Sequence, residues 1–211
     1  MQASDYPVAF STEYPDRDLD RLTTAFRIFT VIPIAVILAS LSGGWGWSSN
    51  WGGSSLPFAG AGAGVVFVPT ALMILFRKKY PRWWYDWNLQ LLRFTNRVAV
   101  YLLLMDDRYP STDEEQSVRL DFPYPDVERD LERGLPIVKW LLAIPHYIVL
   151  VFLDIGVFFA VIGAWFAILF TGRYPRGIFH FVEGVVRWHN RVAGYAFTLV
   201  TDRYPPFRLV P

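Results

Sequence analysis

The chain has 211 residues, 53% hydrophobic and 18% aromatic, with nine Trp and a net charge of +1. That is too apolar and aromatic for an ordinary soluble domain, and the balanced charge gives no basic signal for nucleic acid. Cysteine is absent, which excludes disulfides, thiolate metal sites and a Cys nucleophile.

Residues Met1 to Asp20 are polar and acidic and lack the basic and apolar regions of a signal peptide. Val8 to Thr12 alternates loosely and is a candidate short strand. From Ile28 to Phe76 there is no Lys, Arg, Asp or Glu. Thr24 to Leu41 and Pro57 to Phe76 are each long enough for a transmembrane helix, which needs about 20 apolar residues. Between them, Gly43 to Gly64 is rich in Gly, Ser and Trp and reads as a surface loop, with Trp45, Trp47 and Trp51 at a membrane interface.

After Tyr80-Pro81-Arg82, residues 82–104 form a predicted amphipathic helix. Its aromatic face carries Trp84 and Trp87, with Trp83 beside them, and its polar face carries Arg93 and Arg97. Val118 to Phe122 alternates strictly, as a strand that would pair with Val8 to Thr12 in a small cytoplasmic sheet. A second apolar stretch runs from Leu135 to Phe170, and between Trp140 and Gly172 its sole charge is Asp154. The expectation is a second hairpin turning at Asp154 to Gly156, with full crossing favoured over a re-entrant hairpin. Residues 176–199 then form a second amphipathic helix.

The two halves repeat. Asp18-Leu19-Asp20-Arg21 matches Asp130-Leu131-Glu132-Arg133, Arg27 matches Lys139 and Pro33 matches Pro145. Arg93, Asn96 and Arg97 match Arg187, Asn190 and Arg191, and both halves close on Asp-Arg-Tyr-Pro, at Asp107 and Asp202. The offset is 112 residues before the hairpin and 94 after it, so an 18-residue insertion falls in the first hairpin tip. These matches define repeats at 1–112 and 113–211, with hairpins at 24–76 and 135–170. Apart from Arg27 and Lys139 near the hairpin starts, Lys and Arg lie outside the hairpins, which by the positive-inside rule places both termini in the cytoplasm and makes the repeats parallel.

The Arg-x-x-Asn-Arg sets are the most specific polar signal. Arginines at i and i+4 share a helix face and match phosphate or carboxylate geometry. They are candidates to bind anionic lipid or carboxylates, or to pair internally with Asp18, Asp20, Asp130 or Glu132, the acidic partners of Arg21 and Arg133 in the repeated motif. Arg27 and Lys139 are expected to snorkel to the interface, and His146 to make a polar interhelical contact. His180 and Glu183 are three apart, but no metal site is expected. No cofactor is implied.

Taken together, the Tyr-Pro-Asp starts, Asp-Leu-x-Arg, Tyr-Pro-Arg, Arg-x-x-Asn-Arg and Asp-Arg-Tyr-Pro motifs resemble the family catalogued as domain of unknown function 4389. The resemblance covers nearly the whole chain. It implies a small prokaryotic membrane protein with one or two copies of the unit, and it implies no activity.

The fold expectation is therefore an all-α membrane protein of two tandem parallel repeats, multi-pass in the cytoplasmic (inner) membrane. The function expectation is a non-catalytic scaffold or accessory subunit that contacts membrane lipids and other subunits, or self-associates. The alternative is a small oligomeric channel or transporter.

Overall fold

The computed structural model describes residues 6–41, 60–112, 114 and 116–211, with side chains in the second helix from Phe67 onward. Trp45, Trp47 and Trp51 lie outside the described residues. The element order is β1 (Ala9–Thr12), α1 (Arg21–Leu41), α2 (Gly60–Arg77), α3 (Arg82–Leu102), β2 (Val118–Asp121), α4 (Leu135–Leu142), α5 (Ile144–Thr171) and α6 (Arg176–Ala196).

Local chemistry sets the boundaries. The Asp20 carboxylate accepts from the Leu22 N–H at 2.7 Å and the Thr23 N–H at 3.3 Å, capping the start of α1. Pro81 and Pro175 sit at the N-caps of α3 and α6 in extended conformation, where a missing N–H does no harm. Helix α5 ends at Gly172, whose φ of +76° is the left-handed cap that glycine adopts readily. Lys78 takes the same left-handed conformation, with φ of +48°, after α2.

The two strands pair antiparallel, with Phe10 opposite Leu120. Phe10 and Leu120 are buried while Arg119 and Asp121 face out, the alternation a half-buried ribbon requires. β1 packs on α6 and β2 on α3. On the far side of those helices, α1 packs on α3 while α4 and α5 pack on α6; α1 also meets α5, and α2 meets α4. The result is three tiers: an apolar helical tier, the amphipathic pair α3 and α6, and the strand pair. The main core runs through all three and includes Tyr80, Tyr85, Leu120, Leu150, Tyr174, Phe179 and Trp188.

Two helices are long and apolar enough to cross a membrane, Arg21–Leu41 and the 37-residue stretch Leu135–Thr171. The second corrects the expected hairpin at 135–170. No turn occurs at Asp154 to Gly156, because α5 runs unbroken from Ile144 to Thr171. The only break is at Ala143, where Pro145 removes an N–H and bends the helix. The residues read as a turn are docking residues. Asp154 faces His189 of α6 at 3.4 Å, and the absent side chain of Gly156 makes room for the Phe181 ring, 3.3 Å from where a Cβ would stand.

Candidate functional site

The repeated polar residues converge on α3 and α6, at the centre of the molecule. Asn96 and Asn190 meet there as a reciprocal amide pair, each donating to the other's carbonyl oxygen at 2.7 Å. An amide carries both donor and acceptor, so it can pair with its own counterpart in a way that neither Arg nor Asp can. Both are buried. The sequence grouped these residues with the arginines in the two Arg-x-x-Asn-Arg motifs, not as each other's partners.

The arginines face the opposite way, onto main-chain carbonyls. Arg93 donates from Nε to Leu120 O at 2.9 Å and pairs with the Asp121 carboxylate. Arg187 donates from Nε to Phe10 O at 3.0 Å, from Nη1 to Leu209 O at 2.9 Å, and to Glu183 at 2.6 Å. Arg97 holds Ser111 O at 2.7 Å, and Arg191 holds Arg208 O and Val210 O at 3.0 and 2.9 Å. Arg191 is fully buried, and burial, reinforced by Arg208 and Arg187, pulls its pKa down to about 10. These side chains clamp the strands and the C-terminal arm to the amphipathic helices. The acidic residues expected to pair with them do other work. Asp18 binds Arg173 at 3.1 Å, Asp20 caps α1, Asp130 accepts from the Asp126 N–H at 3.1 Å, and the Glu132 N–H donates to Asp202 at 2.7 Å. Arg21 and Arg133 are exposed.

Arg27 and Lys139 do not snorkel; they are 2% and 0% exposed. Arg27 donates from Nη1 to Tyr101 O at 2.8 Å and to Asp106 O, with its guanidinium 4.2 Å over the Tyr101 ring. Lys139 donates to Thr201 O at 2.7 Å, stands 5.2 Å over the Tyr195 ring and pairs with Asp202 at 2.6 Å. Each cation therefore sits on a tyrosine face and a carbonyl where the chain leaves the following amphipathic helix. Beside Arg27, Arg17 bridges Asp106 and Asp107. Burial pushes the Asp107 carboxyl up, but hydrogen bonds from Arg17 and the Asp20 N–H, with the Arg17 charge, hold it below the ordinary carboxylate range.

Matching contacts cross between the halves. Tyr14 donates to Tyr174 O at 2.5 Å and Tyr124 to Tyr80 O. Tyr80 donates to Thr198 O at 3.0 Å and Tyr174 to Leu103 O at 3.3 Å. The leading arm of each half thus docks on the other half's amphipathic helix, an exchange that a linear sequence does not reveal.

His146 makes its polar contact: the Trp188 indole donates to Nδ1 at 3.0 Å, and the imidazole stacks on Phe207 at 4.0 Å between centroids. His180 and Glu183 approach to 3.7 Å. Trp83 is exposed, while Trp84 donates to Thr70 at 2.8 Å and stacks on Trp87 at 5.1 Å. Among the described residues, no group of three or more His, Asp or Glu is arranged to hold a metal ion.

These features describe a mostly helical protein with two helices long and apolar enough to cross a membrane, a clamped polar centre and a small sheet. Residues 136–208, from α4 through the C-terminal arm, match the family model of a domain of unknown function (DUF4389). No curated protein and no solved structure matches the chain.

Proposed function

We propose that this chain is a membrane-embedded, non-catalytic scaffold or accessory subunit of the prokaryotic cytoplasmic membrane, made of two copies of one unit. The observation that carries this reading is where the exposed apolar side chains lie. Phe26, Ile28, Phe29, Ile32, Phe152, Ile155, Phe159 and Phe170 are all at least half exposed, and all belong to α1 and α5. A surface of that kind marks contact with lipid or with another protein.

The polar side chains that recur in both halves are engaged with the protein's own backbone. That arrangement favours an architectural role over a reactive one. Anionic headgroup contact then falls to exposed cations at the helix ends, such as Arg77, Lys79, Arg133, Arg173 and Arg176. The described ends of the chain lie close to α6 and the C-terminal arm, through Tyr6 to Arg203 O at 3.0 Å and Arg191 to Val210 O at 2.9 Å. This supports placing both on the cytoplasmic side. The two-copy reading is supported by the Asn96–Asn190 pair and by the matched tyrosine and cation contacts.

Crosslinking in native membranes followed by purification tests the role. A stoichiometric membrane-protein partner is the expected result. Recovery of the chain alone and monodisperse in lipid would count against it.

A further inference from the structure

We propose that the apolar tier lies within a single leaflet, with α5 parallel to the membrane surface, instead of crossing the bilayer. The proposal rests on the membrane reading above and concerns how the chain sits there.

Helices α5 and α4 run antiparallel along α6, α5 over its first two thirds and α4 over its end. Gly163 meets Ile178, Gly156 meets Phe181, His146 meets Trp188, and Lys139 lies over Tyr195. A crossing α5 would carry α6 across with it. Yet β1 lies over the middle of α6, where Glu183 accepts from the Thr12 N–H at 3.4 Å and Arg187 holds Phe10 O. The exposed Glu13–Arg119 ion pair, at 3.0 Å with side chains 67% and 65% exposed, would then stand at mid-bilayer depth. Intramembrane charges occur facing protein interiors or water-filled cavities, not on an outer surface.

Asp154 pairs with His189 at 3.4 Å. Asp154 lies at the midpoint of Leu135–Thr171 and its side chain is 50% exposed. In a crossing helix that carboxylate falls at the bilayer centre. In a helix lying in the surface plane it falls on the flank, beside the stripe of Leu150, Val157 and Ala164 buried against the body. The opposite face, carrying Ile148, Ile155, Phe159 and Phe166, has no charge and points into acyl chains.

Helix α5 alone, 28 residues from Ile144 to Thr171, spans about 42 Å at roughly 1.5 Å per residue, and apolar α4 precedes it, against a hydrocarbon core of about 30 Å. Even a tilt of about 40°, the upper end for membrane helices, leaves apolar surface outside the core. A helix about 10 Å across fits within one leaflet. Arg133 and Arg173, exposed near the two ends, then both reach headgroups of the same leaflet.

The chain has no native cysteine, so single-cysteine variants of the full protein report position without background. Ile148→Cys, Ile155→Cys and Phe166→Cys, each carrying a fluorophore in vesicles of zwitterionic and anionic lipid, are read by quenching from lipids brominated at defined depths. Gly134→Cys and Arg173→Cys are read by an impermeant thiol reagent in sealed vesicles of known orientation. One shared shallow depth, with both end positions modified from the same side, is the expected result.

Depths that sweep through the bilayer centre from 148 to 166, with the two ends modified from opposite sides, would overturn the proposal in favour of a crossing helix. Ile155→Cys at the far surface would overturn it in favour of a hairpin. In both cases the membrane reading stands. No quenching by lipid at any position would overturn both.

Discussion

Two buried cations, one in each half, solve the same problem differently. Arg27 and Lys139 occupy matching positions, each over a tyrosine ring and bonded to a carbonyl. Lys139 has its counter-charge in contact, Asp202 at 2.6 Å. Arg27 is bonded to carbonyls alone, and the matching carboxylate, Asp107, is taken by the half-exposed Arg17. The compact ammonium has a carboxylate in contact, whereas the more weakly hydrated guanidinium places Nη1 on two carbonyl oxygens and its plane over a tyrosine ring, leaving Nε and Nη2 without a hydrogen-bond partner and the carboxylates one step away. The second half therefore concentrates its charge compensation in one pair, and the first half distributes it.

That contrast yields the largest expected effect. Asp202→Asn leaves Lys139 buried without a counter-charge and should destabilise by about 3–5 kcal/mol. Asp107→Asn removes a pair that solvent already screens, and should cost clearly less. Unfolding in detergent compares the two, and equal losses would break the distinction.

Next in size is the close approach of β1 to α6. A Cβ on Gly194 would stand 2.5 Å from Val8 Cγ2, while the matching position in the first half is Val100. Gly194→Ala should destabilise by about 1–3 kcal/mol, with partial rescue by Val8→Ala, in the same unfolding measurement.

The amide pair tests whether the halves are coupled at their shared centre. Asn96→Ala and Asn190→Ala each orphan a buried amide, at about 1–3 kcal/mol apiece. The double variant should cost less than the sum, and strict additivity would show that the pair carries no coupling.

The smallest effect is a pH dependence confined to the second half. Burial lowers the His189 pKa, but the Asp154 hydrogen bond and charge, with the Val185 carbonyl, outweigh it and raise it above 6.5. The pair's stabilisation is therefore present below about pH 6.5 and is lost as pH rises through the folded value. Solvent screening of this half-exposed pair keeps the contribution to ~1 kcal/mol or less. His189→Gln should flatten that part of the stability–pH profile, and an unchanged profile would remove the pair from the account.

Much of the fold was legible in the sequence because it rests on local chemistry. Pro81, Pro175 and Gly172 mark helix ends through their backbone constraints. The period-2 and period-3.6 patterns located β2, α3 and α6 to within a few residues. Asp154 and Gly156 misled because a polar residue and a glycine in an apolar run signal a turn, while their actual role depends on His189 and Phe181, elements met only in three dimensions. The arginine clamps were visible as a motif, but not their partners. Backbone carbonyls leave no trace in a sequence, and acidic residues near in motif space were the natural, mistaken choice. The burial of Arg27 and Lys139 was hidden for a similar reason, since their tyrosine and carbonyl partners come from a distant turn.

The central claim is that the tier formed by α1 and α5 faces lipid while the strand pair faces water. Spin labels at Phe29→Cys and Phe159→Cys, compared with Glu13→Cys and Arg119→Cys in lipid vesicles, test it through relaxation by oxygen and by a water-soluble nickel chelate. The expected result is oxygen-dominated relaxation at the first two sites and nickel-dominated relaxation at the last two. Nickel-dominated relaxation at all four would contradict the claim.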